Sequence, residues 1–402
     1  MTQTLKIGFL PLVDACLPIL AHELGHAEDE GLTLEFVRDV SWATVLDRLL
    51  YGHTDAAHLI APLAIATTLG RGRPAQPLAA PFVLGLNGNA ITVRPDLADS
   101  ICPSGTLGEP LAVGAALAKE AARSKAAGRR LRFGVVHRHS SHNYMLRYWL
   151  AACGISPEDD IEIVTVAPPF SADALASGEI DGSCVGEPWN SVAVERGAGR
   201  IVLATAQIWR RGVEKVLALP TERLEERRDP IERLVRAMRR AGKWFVDPAH
   251  REAAAHILAR PEYLDGSAAM IGRAIGDELV LTAGAPPATF PDFMFQYNEA
   301  ANFPWISQAM WLYSQMLRWE GIGYDPADAA KAAAVFRPDI YRSALDGTGD
   351  LLPGASSKVE GSIDVQLSVT AQQGDMTLSP NRFFDGRTFD PDQLEAYVAL
   401  QK

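Results

Sequence analysis

The sequence predicts an α/β protein built as two lobes, and three observations support this class. Apolar strands alternate with helices over the first 60 residues, and the same alternation returns between Ser140 and Asn190. Such alternation implies parallel βαβ units. The chain has 402 residues, 48% of them hydrophobic, and a chain of this length is usually divided between two domains. We therefore expect two βαβ sheets, each flanked by helices.

The first lobe is predicted to open with three strands and two helices. The strands are expected at residues 5–10, 32–37 and 55–59, and the helices at residues 14–30 and 41–50. Asp14 and Ser41 are predicted to cap the helices, because short polar side chains accept hydrogen bonds from the free N–H groups at a helix start. Gly31 and Gly52 are the predicted helix stops.

The second lobe is predicted to begin near Pro95, after the chain crosses from the first lobe behind residues 91–93. The chain is predicted to return to the first lobe between Ala204 and Lys215. Residues 1–94 and 209–402 then form lobe 1, and residues 95–208 form lobe 2. Lobe 2 should hold a helix at residues 107–127, a helix that follows Ser140, and a strand that ends at Cys184. Helix-rich sequence from 230 to 336 should pack back on lobe 1. The tail after Gly354 is either a strap across that lobe or a surface for a partner.

Composition excludes some function classes. A formal charge of −11 disfavours a broad nucleic-acid surface, which needs clustered Lys and Arg. The basic stretch at residues 123–132 is a helix end or, alternatively, a nucleic-acid patch. The four cysteines are widely spaced without a CxxC motif, which favours a reducing compartment over a disulfide framework or a zinc site. Neither a secretory signal nor a run of about 18 apolar residues is present, so no membrane span is expected.

One metal-binding motif has to be weighed. His22, Glu23 and His26 match the HExxH pattern, in which two imidazoles at i and i+4 share a helix face and ligate zinc. Gly25 weakens such a helix, and no third ligand follows at a short spacing. The alternative is a solvated, partly packed face of the first helix. We predict no metal, no cofactor and no catalytic residue.

The run GEIDGSCVGEPWN, with HNYMLRYWLAACGI before it and IWRRGVEKVLAL after it, resembles the substrate-binding proteins of the nitrate and bicarbonate ABC importer family. The resemblance continues in KIGFLPLVDACLPILAHELG at the start and in SSKVEG and FFDGRTFDP near the end. It implies a two-lobed, periplasmic-binding-protein-like (type II) fold with the ligand cleft at the hinge. It also implies a binding protein rather than an enzyme.

Members of this family that serve transport are exported, so the missing signal favours its cytoplasmic nitrate/nitrite-sensor branch, the NasS-like proteins. That hypothesis makes the protein cytoplasmic, with nitrate or nitrite as ligand and an RNA-binding antiterminator as partner, and without direct nucleic-acid contact. The alternative is the substrate-binding subunit of an importer for nitrate, bicarbonate or another small oxyanion, with an ABC permease as partner.

Candidate ligand-binding residues are sought where strands end, since ligands of open α/β sheets gather there. Trp42 would donate its indole N–H to an oxyanion, or else pack between the lobes. His58 and Pro62 follow the third strand, where they would line the pocket or form a structural turn. Asn87 and Asn89 flank Gly88 in a turn that would aim an amide inward or serve the turn alone.

His142, Glu187 and Lys215 complete the candidate site. His142 lies at a helix start, where imidazole and helix N-terminus would both face an anion. Lys215 lies among apolar residues and needs a counter-charge, which a monovalent anion would supply, or else Glu214 or Glu187. If the anion supplies it, Lys215→Ala should abolish binding and leave thermal stability nearly unchanged.

The family resemblance adds its own expectation for four of these positions. It implies that Trp42, Asn89, His142 and Lys215 match nitrate contacts, with Asn89 shorter than the amide common there. The bicarbonate branch carries a metal-recruiting acidic residue at about the place of Lys215, so the lysine favours nitrate or nitrite.

Overall fold

The computed structural model describes residues 2–401. Fifteen strands are assigned within those residues: β1 (Gln3–Phe9), β2 (Leu32–Arg38), β3 (Ala56–Ile60), β4 (Leu78–Asn87), β5 (Asn89–Val93), β6 (Leu131–Val135), β7 (Ile161–Thr165), β8 (Gly182–Gly186), β9 (Arg200–Ala204), β10 (Val213–Pro220), β11 (Glu278–Leu279), β12 (Ala288–Thr289), β13 (Met294–Phe295), β14 (Leu367–Thr370) and β15 (Asp375–Leu378).

The helices of the same residues alternate with these strands in the first half and dominate the second half. They are α1 (Cys16–Glu23), α2 (His26–Asp29), α3 (Trp42–Leu50), α4 (Ala61–Thr68), α5 (Pro95–Ile101), α6 (Pro110–Ala126), α7 (Ser141–Ala152), α8 (Ser171–Ala176), α9 (Trp189–Glu195), α10 (Thr205–Ile208), α11 (Thr221–Glu226), α12 (Arg228–Phe245), α13 (Arg251–Leu258), α14 (Ala268–Ile275), α15 (Ile306–Glu320), α16 (Pro326–Val335), α17 (Pro338–Leu345) and α18 (Leu394–Ala399). Short 3₁₀ turns include Val13–Ala15.

Two main sheets organise the fold. The first has the order β13-β4-β10-β3-β1-β2, and the second has the order β7-β6-β8-β5-β9. In the first sheet β1 is parallel to β2 and β3, and in the second β6 is parallel to β7 and β8. The strands that connect the two sheets pair antiparallel. The predicted α/β class with parallel βαβ units is confirmed.

Two chain segments cross side by side between the sheets. The first crossing lies at Gly88, before residues 91–93 rather than after them, because β5 is hydrogen-bonded between β8 and β9. The second crossing runs from β9 through α10 to β10. Asn87, which has a positive φ of 57°, joins the crossings: its N–H donates to Gly212 O at 2.9 Å and its amide donates to Arg210 O at 2.9 Å. The lobe boundaries at residues 94/95 and 208/209 stay predictions.

The predicted helix at residues 14–30 is broken into three pieces. Gly25 adopts a left-handed φ of 75° between α1 and α2, a conformation that glycine adopts at little cost. Asp14 lies in the Val13–Ala15 turn and makes no cap hydrogen bond there, so its predicted role as a helix cap was wrong. By contrast, the Ser41 hydroxyl accepts from Thr44 N–H at 3.2 Å and caps α3 as expected. Predicted stops Gly31 and Gly52 both have positive φ.

The helix-rich half packs against helices that flank the first sheet. Helix α12 packs on α1, α2 and α17, while α15 packs on α4 and also reaches α7 of the second sheet. Between residues 2 and 401, no helix combines the length and apolar character that a bilayer span requires. All four cysteines are free thiols.

Residues 382–385 of the tail after Gly354 lie across the second crossing. Phe383 stacks on Trp209 of that crossing at 4.9 Å between ring centroids and on Trp311 of α15 at 5.5 Å. The main chains pair as well, since Arg210 N–H donates to Arg382 O at 2.9 Å. Tyr148 of α7 donates its hydroxyl to Asp385 at 2.9 Å. These four residues therefore form a strap over the second crossing and α7, while the strap across the first lobe and the partner surface stay predictions for the tail.

We expect Phe383→Ala to lower the free energy of unfolding by about 3–5 kcal/mol, because Phe383 is a buried aromatic residue that closes the stack. Leu400→Ala is the control in the same tail; Leu400 is 83% exposed, so its truncation should change stability by no more than about 0.5 kcal/mol. Urea denaturation followed by circular dichroism measures both. Equal, small losses would show that the tail is not part of the core.

Candidate functional site

A buried group of charged and polar side chains lies where the two sheets face each other. Lys215 of β10 is fully buried, and its Nζ lies 2.8 Å from Asp14 Oδ2 and 2.6 Å from Glu214 Oε1. Both carboxylates are buried too. A buried ammonium is tolerated when it is paired and hydrogen-bonded in this way. Asp14 and Glu214 therefore supply the counter-charge of Lys215.

Two histidines extend the group, one on each carboxylate. His58 Nε2 donates to Asp14 Oδ1 at 2.9 Å, and His142 Nδ1 lies 3.2 Å from Glu214 Oε1. Both imidazoles are fully buried. The Trp42 ring lies against His58 and Lys215, with its centroid 5.3 Å from that of His58 and 5.4 Å from Lys215 Nζ.

Residues from both sheets meet at this point. His142 lies in the first turn of α7, a helix that packs on β8 of the second sheet, whereas Glu214 belongs to β10 of the first sheet. Val13 N–H donates to Glu187 O at 2.9 Å across the same junction. A Cβ atom on Gly186 would lie 3.0 Å from Asn89 Oδ1, 3.4 Å from Leu12 and 3.9 Å from Asp14 Oδ2. We call Asp14, Trp42, His58, Asn89, His142, Glu214 and Lys215 the Lys215 cluster.

The charges of the cluster follow from burial and pairing. Burial raises the pKa of Asp14, but Lys215 and His58 outweigh it and hold that pKa below its usual range. Burial lowers the pKa of Lys215, yet Asp14 and Glu214 outweigh it and raise that pKa. Burial lowers the pKa of His142 to about 4, and it lowers the pKa of His58 although Asp14 opposes this. Near neutral pH the cluster holds one ammonium, two carboxylates and two neutral imidazoles.

Several polar atoms of the cluster are buried and have no hydrogen-bond partner. They are Trp42 Nε1, His58 Nδ1, both amide atoms of Asn89 and both ring nitrogens of His142. Native structures rarely leave so many buried polar atoms unpaired in one place, since each costs about 1–3 kcal/mol. The arrangement fits a small polar ligand that supplies the missing partners.

The structure brings five of the eight candidate residues together in this cluster: Trp42, His58, Asn89, His142 and Lys215. Asn87 instead holds the crossings together, as described above. Pro62 lies in the first turn of α4 and has no N–H to donate. The Glu187 side chain lies near Ser191, Asn190 and Arg273, where burial raises its pKa to about 7, and only its main chain reaches the first sheet.

Sequence reasoning missed Asp14 as a member of the cluster and treated Glu214 only as an alternative. Asp14 lies in a tight turn, and its partners His58 and Lys215 follow far along the chain. No local pattern signals such a contact. The finding changes one expectation: because two carboxylates depend on Lys215, its removal is no longer expected to leave thermal stability nearly unchanged. Its role in ligand binding stays a prediction.

The HExxH motif and the basic stretch both differ in the structure from what a zinc site or a nucleic-acid patch requires. His22 and His26 belong to separate helices, and they contact Phe36 and Asp29 respectively, so the shared helix face that HExxH requires is absent. The basic stretch at residues 123–132 carries side chains already paired with acids, among them Lys125 with Asp160 at 2.7 Å and Arg129 with Asp181 at 2.9 Å.

A groove beside α12 is a weaker candidate. Its volume is about 350 Å³, and three arginines of α12 line it. Arg236 pairs with Glu30 at 2.9 Å and Arg239 with Asp350 at 2.8 Å. These arginines have their partners within the protein, whereas the Lys215 cluster has donors to spare. Chemistry therefore favours the buried cluster over this groove.

Comparison with known proteins places the fold. The crystal structure of the periplasmic nitrate-binding protein NrtA from Synechocystis PCC 6803 matches with a TM-score of 0.86, covering 100% of this chain and 99% of that one at 24% identity. This match confirms the two-lobed, periplasmic-binding-protein-like fold. The lobes correspond to the two sheets, so the Lys215 cluster lies between lobes.

Sequence comparisons agree with the family resemblance. The nitrate/nitrite binding protein NrtA of Nostoc sp. PCC 7120 is 28% identical over 99% of this chain and 85% of its own length. The nitrate import ATP-binding protein NrtC of Synechocystis sp. PCC 6803 is 32% identical over 86% of this chain. The chain spans 50% of the length of NrtC. A model of the NMT1-like family matches residues 1–259, and the chain therefore belongs to the NMT1-like family.

Proposed function

We propose that the chain binds nitrate or nitrite in the Lys215 cluster and serves as the substrate-binding component of an ABC importer. One observation carries the proposal: unpartnered, buried N–H groups converge on a buried lysine. Lysine has three N–H donors, and Asp14 and Glu214 use two of them, which leaves one for a ligand. The Trp42 indole and the Asn89 amide add further free donors.

The ligand that fits such a site is an acceptor. Nitrate and nitrite are small, planar anions that accept hydrogen bonds and donate none. Bicarbonate differs by a hydroxyl group that needs an acceptor, and Asn89 Oδ1 and the lone pair of a neutral imidazole can accept from it, so the cluster's hydrogen-bonding groups alone do not choose between these anions. The relatives favour nitrate and nitrite, since NrtA is named as a nitrate/nitrite binding protein. Their names therefore support nitrate or nitrite over bicarbonate.

Binding is coupled to closure of the lobes in this proposal. Asn89 and His142 come from the second lobe, while Trp42 and Lys215 come from the first. An anion that contacts all four stabilises the closed form only, and the open–closed equilibrium shifts accordingly. Charge-assisted hydrogen bonds of about 1.5–3 kcal/mol each are sufficient for such a shift.

The names of the relatives favour the importer over the cytoplasmic sensor. NrtA and NrtC are named for nitrate binding and nitrate import. The sensor hypothesis, with an RNA-binding antiterminator as partner, stays a prediction from the sequence. Co-purification from cells tests it: an antiterminator released on adding nitrate would establish the sensor, and a permease and ATPase would establish the importer.

Isothermal titration of the purified chain tests the ligand. We expect saturable binding of nitrate and nitrite, because both fit a set of donors. Bicarbonate, with or without calcium, should bind more weakly. Stronger binding of bicarbonate, or no binding of any of the three, would contradict the proposed ligand.

We expect Trp42→Phe to weaken nitrate binding roughly 10- to 150-fold, since it deletes one hydrogen bond of about 1.5–3 kcal/mol to a charged ligand and keeps the ring. Trp319→Phe is the matched control, because its indole Nε1 is also buried and unpartnered but lies at the end of α15, outside the cluster. Titration of both variants with nitrate measures the effect. Equal affinities would remove Trp42 from the site.

Lys215→Ala should abolish nitrate binding and also lower the free energy of unfolding by about 3–5 kcal/mol, because it leaves Asp14 and Glu214 buried without their cation. The control is Lys6→Ala, whose side chain is 52% exposed in a surface pair with Glu35. That change should cost at most about 1 kcal/mol. Urea denaturation measures both, and a Lys215→Ala variant of unchanged stability would show that the carboxylates do not depend on the lysine.

A further inference from the structure

The two ring nitrogens of His142 carry a further inference, which rests on the proposed function. Its Nδ1 lies 3.2 Å from Glu214 Oε1 without completing a hydrogen bond, and its Nε2 is buried without any partner. His58 differs, because its Nε2 has a formed hydrogen bond to Asp14. Of these two imidazoles, His142 is the one with both nitrogens unsatisfied when no ligand is bound.

A neutral imidazole cannot donate to Glu214 and to a bound anion at the same time. It carries one N–H donor and one lone pair. With the proton on Nδ1, the ring donates to Glu214 and presents a lone pair to an oxyanion. With the proton on Nε2, the ring serves the anion and presents a lone pair to the carboxylate. Only the imidazolium, with two N–H groups, donates to Glu214 and to an anion together.

The charges around His142 favour the same conclusion. Glu214 and Lys215 face it from β10, and Asp14 faces it from the Val13–Ala15 turn. With neutral histidines, these three groups carry one positive and two negative charges. A bound nitrate would add a further negative charge in a site shielded from water, where like charges repel strongly. A proton on His142 cancels that added charge.

We propose that the site binds its oxyanion together with one proton, which His142 carries between Glu214 and the anion. Glu214 is the positioning residue, since it orients the imidazole and stabilises its protonated form. Nitrate is the anion of a strong acid and brings no proton of its own, so the proton comes from solvent.

The direction of the pH dependence follows from linkage. Burial lowers the pKa of His142 to about 4 in the free protein, and an anion beside Nε2 raises it. Between these two pKa values, binding takes up a proton. Affinity for the anion therefore falls as the pH rises, by up to about tenfold per pH unit.

Titration calorimetry with sodium nitrate in two buffers of different ionisation enthalpy tests the inference on the unmodified chain. Near neutral pH the buffer-dependent part of the heat should correspond to uptake of about one proton per anion. The dissociation constant should rise between about pH 6 and about pH 8. Nitrate binding with no proton uptake would overturn the inference but leave the proposed function intact. No nitrate binding at any pH would overturn the proposed function itself.

Two matched variants locate the proton. His142→Gln keeps an amide donor and removes the titrating group, so it should bind nitrate more weakly, with no proton uptake and no dependence on pH. The control is His137→Gln, which changes a histidine outside the Lys215 cluster whose Nδ1 accepts from His139 N–H at 3.0 Å, and it should retain the uptake. Uptake that persists in His142→Gln, or disappears in His137→Gln, would overturn the assignment to His142. If either variant fails to fold, the nitrogen chemical shifts of His142 in the unmodified chain decide, because protonation on nitrate binding moves both.

Discussion

The buried ammonium of Lys215 is the constraint on which the site depends. A lysine with no exposure to water remains charged only if carboxylates stand beside it, and Asp14 and Glu214 do so at 2.8 and 2.6 Å. Each carboxylate in turn faces one imidazole. One cation therefore fixes the positions of four other ionisable side chains.

The same cluster joins the two lobes. His142 reaches from the second lobe to Glu214 of the first, and Val13 and Glu187 join their main chains beside it. The tail adds to this junction, because residues 382–385 pack on the second crossing and contact Tyr148 of α7, the helix that holds His142 in its first turn. In the proposed function, ligand binding and lobe closure share one set of contacts.

The balance of charge gives the cluster a chemistry of its own. A site rich in unpartnered donors fits an oxyanion, yet two carboxylates leave it with net negative charge when the histidines are neutral. The proposed uptake of a proton with the anion reconciles both features. In that proposal, the carboxylates that position Lys215 also set the protonation state in which the site binds its anion.

The sequence by itself determined the fold class, the family and most individual elements. Local signals were sufficient for these, because strand–helix alternation, the Ser41 cap and glycines with positive φ act within a few residues. It also named five residues of the cluster. Only the tertiary structure decided the role of Asp14 and the counter-ions of Lys215. The contacts of Asp14 with His58 and Lys215 join residues far apart in the chain, and no periodicity or cap reports a long-range pair. Tertiary packing also decided that the second sheet begins at Asn89, because pairing between strands, not local sequence, assigns a strand to its sheet.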